Sequence, residues 1–230
     1  MTTEAIGIIH SPFKEKFGVP RQAGLAPHAT GEIELFKKFS GQDIVKGLED
    51  FERIWVIFHF HLTPESEYKA RMVRPPRLGG NNKMGVFATR SPFRPNSLGL
   101  SCFKLGDISH RLGQTFIQIS GLDVVEGTPV LDIRPYLPEV DSHPSSRAGW
   151  TEGLEQRLDL PVIFSNIANS SLNDLPEKDR LKILIKEYLC LDPRPSYRKD
   201  QQVYANRISD FDIKWQILEN QIMVLDIQHI

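Results

Sequence analysis

Polar and apolar residues alternate along Thr115-Phe116-Ile117-Gln118-Ile119-Ser120, the pattern of a strand with one wet and one dry face. Six further short segments, residues 5–10, 31–36, 53–61, 84–89, 98–105 and 128–133, are rich in Val, Ile and Phe and are separated by Gly, Pro and Asn. In this first part only residues 43–51 have helical spacing. Many short strands divided by turn residues predict a barrel or a sandwich. Residues 136–146 mix prolines, serines and acids without periodicity, as a linker does.

After that run the pattern changes. Asn173-Asp174-Leu175-Pro176 offers a helix cap, and Leu181, Leu184, Ile185, Tyr188 and Leu189 follow at helical spacing until Asp192-Pro193 ends the helix. Residues 202–208, 213–218 and 222–227 read as strands, the last two joined as a hairpin through Glu219-Asn220-Gln221. The expectation is a mainly β protein: a small single-sheet β-barrel over residues 1–141, a linker over 142–152 and a smaller α+β domain over 153–230.

A chain of 230 residues, 40% of them hydrophobic, can fill one large core or two small ones. Met1-Thr2-Thr3-Glu4-Ala5-Ile6 has no basic patch followed by an apolar run, which predicts a cytoplasmic protein. The richest apolar run, residues 54–60, is of strand length and far short of a membrane span, so a soluble protein is expected. Cys102 and Cys190 stand far apart with no Cys-x-x-Cys spacing, which argues against a disulfide framework or a zinc site and predicts two core residues.

The net charge of -1 hides a segregation. Residues 68–106 hold eight cations (Lys69, Arg71, Arg74, Arg77, Lys83, Arg90, Arg94, Lys104) and no Asp or Glu. A block of this kind suits phosphates, because each neutralised phosphate releases condensed counterions. Any one of these arginines could equally pair with a carboxylate brought near by folding; the cluster as a whole favours an anionic ligand.

The same region carries the most unusual motif, residues 73–100, where glycines and prolines fix the backbone around Arg and Asn side chains. It is neither a G-x-G-x-x-G fingerprint nor a G-x-x-x-x-G-K-S/T loop, which removes two common nucleotide-binding readings. A second motif, residues 121–136, sets Asp123, Glu126 and Asp132 among apolar residues. These could act as a base or grip a ribose; equally, Glu126-Gly127 is a turn and Asp132 a partner of Arg134 or Arg90. His59 and His61 stand two apart on one strand face with Trp55 and Ile57, which suggests a core or pocket wall. They resemble half a metal site, but no third ligand of suitable spacing is visible and no metal is expected.

Residues 11–17, 19–22, 58–61, 73–80, 85–100, 123–136 and 192–197 together resemble the TsaA-like family of β-barrel proteins, and the resemblance spans nearly the whole chain. It implies a barrel that binds S-adenosylmethionine close to a homodimer interface. It also implies methylation of N6 of threonylcarbamoyladenosine beside the anticodon of threonine tRNA. Carried over position by position, the cofactor would meet Pro20, Arg21, Gln22, His61, Leu62, Arg90, Leu100, Val124, Val125, Glu126 and Gly127. Arg94, Asn96 and Asp132 would carry substrate contact and catalysis, with Asp132, His61 or a water as base. The competing expectations are a non-catalytic RNA-binding or regulatory module using the same basic surface and, further off, a hydrolase with a metal at His59 and His61.

Overall fold

Alternation along the strands sends Ile9, Ile33, Leu35, Ile54, Val56, Phe58, Phe103, Ile117, Ile119 and Val130 to one face, and all are buried. Each such side chain contributes about 1.5–3 kcal/mol by leaving water. A sheet with so continuous a dry face closes on itself. The computed structural model describes residues 2–64, 71–76, 82–154, 157–173, 175–194 and 202–230. In chain order its elements are β1 (Gly7–His10), β2 (Thr30–Leu35), β3 (Arg53–His59), β4 (Met72–Val73), β5 (Met84–Gly85), β6 (Leu98–Arg111), β7 (Gln114–Ser120), β8 (Thr128–Pro135) and α1 (Pro138–Asp141). They are followed by β9 (Val162–Phe164), α2 (Asn166–Asn173), α3 (Lys178–Cys190), β10 (Tyr204–Ile208), β11 (Phe211–Leu218) and β12 (Gln221–His229).

Six strands form a closed barrel in the order β1-β2-β7-β6-β3-β8, with every pair antiparallel. Closure removes the exposed strand edges that an open sheet would present. The second sheet has the order β10-β11-β12-β9, with β9 parallel to β12, and α2 and α3 pack on it through Ala168, Leu172, Leu184, Ile185 and Leu189. The barrel and this sheet share one hydrophobic core. Phe13 bridges to Ile208, lies 6.3 Å from the Tyr188 ring, and is flanked by a bond from the Ser209 amide to the Pro12 carbonyl.

Several expectations need correction. Residues 43–51 are turns ending in a 3-10 turn, Leu48–Asp50, because Gly47 adopts a left-handed conformation (φ 81) that interrupts a helix. The strand expected at 84–89 ends at Gly85: the Val86 amide turns to the Arg71 carbonyl and Val86–Ala88 form a 3-10 turn closed by Thr89. Strand β6 does not stop at Leu105, since a bulge absorbs Gly106 and Asp107 and pairing resumes at Ile108. Trp55, Ile57 and His59 lie on the outer wall of β3, half-buried, while its alternate residues fill the interior. Cys102 and Cys190 are half-buried rather than core residues. Helix α3 is preceded by Glu177 with no side-chain cap; Asn173 instead ends α2, whose polar sequence gave little sign of a helix, and Asp174 is outside the described residues. No described helix is long and apolar enough to cross a membrane.

Candidate active site

An antiparallel barrel sends alternate connections to opposite ends. Residues 11–29 (β1 to β2), 60–97 (β3 to β6) and 121–127 (β7 to β8) therefore emerge together at one end. These three loops carry all of the candidate site residues except Leu100 and Asp132. Convergence is visible in contacts as well as in topology. The Arg90 guanidinium donates to Gln22 Oε1 at 2.5 Å, and the Gly24 amide bonds the Gly121 carbonyl at 2.8 Å. The long loop closes where the Phe60 amide meets the Ser97 carbonyl, with Ser97 in the left-handed region (φ 47).

Each loop is fixed by a different means. In the first, Pro20 is buried while Arg21 reaches the Asp192 carbonyl at 2.9 Å. Asp192 itself (φ 50) is held by Arg194 at 2.7 Å, so the tail motif anchors this first loop, although its residues 195–197 lie outside the described ones. In the third, the amides of Glu126 and Gly127 bond the carbonyls of Phe13 and Ile9, and Ser11 Oγ bonds the Val124 carbonyl. The Glu126 carboxylate is spent on the Ser11 amide at 2.7 Å, His10 Nδ1 at 3.0 Å and Lys14 at 3.3 Å. Burial pushes its pKa up, but these partners outweigh burial and hold it below the usual carboxylate range. His10, flanked also by Glu34 at 2.8 Å, is lowered by burial and raised by more by the two carboxylates. Val124 is buried, and Val125 accepts from Thr128 at 2.7 Å.

Asp123 differs from Glu126 three residues along. Its Oδ1 is sealed from solvent with no hydrogen-bond partner among the described residues. Burial raises its pKa to about 6, against the opposing pull of Ser101, the Ala23 amide and the Arg90 charge. One carboxyl of the third loop thus meets the other two and the barrel wall: Ala23 from the first, Arg90 from the second, and Ser101 beside Leu100 on β6.

In the second loop, His61 is half-buried beside the exposed Leu62, its amide bonding the His59 carbonyl. Burial, then the neighbouring His59 and Lys16, lowers the pKa of its imidazole. Arg94 donates to the Thr89 carbonyl at 2.7 Å and covers the Phe87 ring from 6.0 Å, and Asn96 is exposed. Leu100 and Asp132 lie elsewhere, on the outer wall of the barrel, in one row across β6, β3 and β8 through Ile57. Asp132 pairs there with Arg134 at 3.1 Å. Among the described residues, no group of three His, Cys, Asp or Glu is arranged to hold a metal.

Beside Gln22 and Arg90 opens a cleft of about 1760 Å³, larger than the roughly 300–1,000 Å³ of a small-molecule pocket. Arg21, Arg74, Lys83, Arg90 and Arg147 line it, and among the described residues no carboxylate does. The six described cations of the basic block form no ion pair with a described carboxylate; Lys69 and Arg77 lie outside the described residues. One wall comes from residues read as linker, where Gly149–Thr151 make a 3-10 turn and Trp150 Nε1 donates to the Ala88 carbonyl at 2.7 Å. Neither Arg147 nor Trp150 was legible as a site residue; the one signal was a tryptophan in a polar run.

Known proteins agree with this architecture. The tRNA-methyltransferase O N-terminal domain matches residues 8–142, and the TrmO C-terminal domain matches residues 157–230. A tRNA (adenine(37)-N6)-methyltransferase of Escherichia coli is 42% identical over 220 residues, which is 94% of this chain and 93% of that one. A putative S-adenosylmethionine-dependent methyltransferase, RcsF, of Pseudomonas aeruginosa is 39% identical over 96% of this chain and 95% of its own. A crystal structure of TrmO from P. aeruginosa aligns with a TM-score of 0.80 at 34% identity, covering 99% of this chain and 97% of that one. With both halves matched and the barrel shared, the resemblance read from the motifs holds: the chain belongs to the tRNA-methyltransferase O family.

Proposed function

We propose that this chain transfers a methyl group from S-adenosylmethionine to N6 of threonylcarbamoyladenosine at position 37 of threonine tRNA, acting as a homodimer in the cytoplasm. The observation that carries the reading is the cleft itself: among the described residues five cations and no carboxylate line it, at the end of the barrel where the motif-bearing loops meet. Phosphates supply the matching charge, while specificity in RNA comes from unstacked bases.

The residues fit a nucleoside cofactor. Gln22 and Arg90 present polar groups beside the cleft, the fixed loop of Val124, Val125, Glu126 and Gly127 emerges at the same end of the barrel, and the buried Asp123 keeps an acceptor oxygen unspent there. The cofactor supplies an electrophilic methyl on a sulfonium. The protein's part is to hold the acceptor nitrogen in line, about 3 Å away, which needs no covalent nucleophile. N6 of the adduct lies between a purine and a carbonyl, so its proton is acidic enough for a modest base. Within one protomer His61 suits that task better than Asp132, because its lowered pKa keeps the imidazole neutral near pH 7, while Asp132 is on the outer wall.

The placement of Leu100 and Asp132 supports the dimer. Leu100 is 54% exposed, with Leu98 beside it and Ile57 across the ladder, an exposed apolar strip on the outer wall. If a second copy sets its own cleft against that strip, Leu100 and Asp132 join the site they match by motif. Titration calorimetry with S-adenosylmethionine, with mass spectrometry of tRNA nucleosides from a deletion strain, tests the reading. Binding together with loss of the methylated nucleoside is expected. Salt-dependent RNA binding without heat from the cofactor would replace it with the non-catalytic RNA-binding module.

A further inference from the structure

Among the described residues, large aromatic side chains are buried or at least half-covered, with one outstanding exception: Phe87 is 78% exposed. It stands in the Val86–Ala88 turn, on the rim of the cationic cleft. Nothing about the turn is loose. Val86 is buried, and its carbonyl accepts from the Thr89 amide at 3.1 Å and the Thr89 hydroxyl at 2.8 Å. Arg94 reaches the Thr89 carbonyl, and the linker clamps the far side through Trp150 Nε1 on Ala88. The Arg94 guanidinium stands over the Phe87 ring and leaves most of that ring open to solvent.

A rigidly held, solvent-facing aromatic costs free energy unless something covers it. Charge complementarity says what kind of molecule does so. Arg74, Lys83, Arg90 and Arg147 share the cleft with Phe87, and no described acidic side chain does. A polyanion with flat apolar groups satisfies both features at once, because every nucleobase has a π-face to stack while its backbone meets the cations. A second protein copy docked through its Leu100 strip would match the apolar ring but bring an Asp132 already paired with Arg134, which leaves the cleft's cations largely unmatched.

We propose that Phe87, held from behind by Arg94 and from the side by the Trp150 clamp, is the platform on which an unstacked base of the RNA substrate stacks, with Arg147 of the linker meeting a phosphate beside it. This rests on the methyltransferase reading and deepens it. Arg94 then serves as a positioning residue for the platform, and the linker becomes part of the RNA site.

Binding of the threonine tRNA anticodon stem-loop to the full chain, measured across a salt series and alongside cofactor titration, tests this. Phe87→Ala is expected to weaken RNA binding about tenfold, with cofactor affinity and salt slope unchanged. Phe87→Leu should lose as much, and Phe87→Trp should restore wild-type affinity, because stacking requires a ring rather than bulk. Arg147→Ala should lower the salt slope by about one, and Trp150→Phe, which keeps the ring but loses the N–H, should repeat the Phe87→Ala loss in part. Wild-type RNA affinity in both Phe87→Ala and Phe87→Leu would overturn the platform, as would a loss that appears only with a fall in sedimentation coefficient, which would assign the ring to a dimer contact. If the unaltered protein bound cofactor but no RNA, the substrate reading would fail and the platform with it; RNA binding without cofactor binding would remove the methyltransferase and leave the platform standing.

Discussion

The two ends of the barrel are built on the same six strands and share almost nothing else. At one end the loops 11–29 and 60–97, with residues 147–151, line a cleft with five cations and no described carboxylate, and loop 121–127 emerges at the same end. At the other, residues 36–52 carry three lysines against four carboxylates, and β6 turns into β7 through Leu112 and Gly113 alone. The hydrogen-bonded wall is indifferent to which end carries chemistry. Loop length and charge segregation decide, and both are properties of sequence between strands rather than within them.

The comparison is most exposed to failure at Arg90, the residue that joins two site loops. Arg90→Ala is expected to lower kcat/KM about 100-fold, with Lys46→Ala at the opposite end within about twofold; similar losses at both ends would end the distinction. A slightly smaller effect is expected at Asp123. Its folded pKa, raised by burial to about 6 from an ordinary 3.8, stabilises the fold fully below pH 3.8 and withdraws that contribution as pH rises through 6. Asp123→Asn should therefore gain on the order of 2 kcal/mol in urea unfolding at pH 8 relative to its effect at pH 4. A site that keeps a destabilising carboxylate is expected to need it, so the same variant should bind cofactor more weakly. The smallest change concerns the plain end. Leu112 is 96% exposed in the left-handed region (φ 52), and Leu112→Asn should add about 0.5–1 kcal/mol with activity unchanged.

The strands and the basic block were readable because both leave local signatures, period-two alternation and an uninterrupted run of cations. The meeting of loops 11–29, 60–97 and 121–127 was readable only through motif resemblance, since strand order is a long-range property no window of residues contains. The wall facing of Trp55, Ile57 and His59 was misread because both faces of β3 are apolar, so periodicity could not say which is inside. Trp150 was missed for a different reason: its partner is a backbone carbonyl 62 residues away, and a lone tryptophan in a polar segment gives no sign of it.

Phe13 ties the first site loop to the C-terminal sheet through Ile208, with Ser209 donating to Pro12 and Tyr188 packed close by. That seam makes the terminal strands and the cleft-bearing mouth thermodynamic neighbours, although nearly two hundred residues of chain separate them. A lesion on the hidden side of β10 would be felt in this chain as a slackened hold on the start of loop 11–29, so variants that impair the enzyme need not cluster around its cleft.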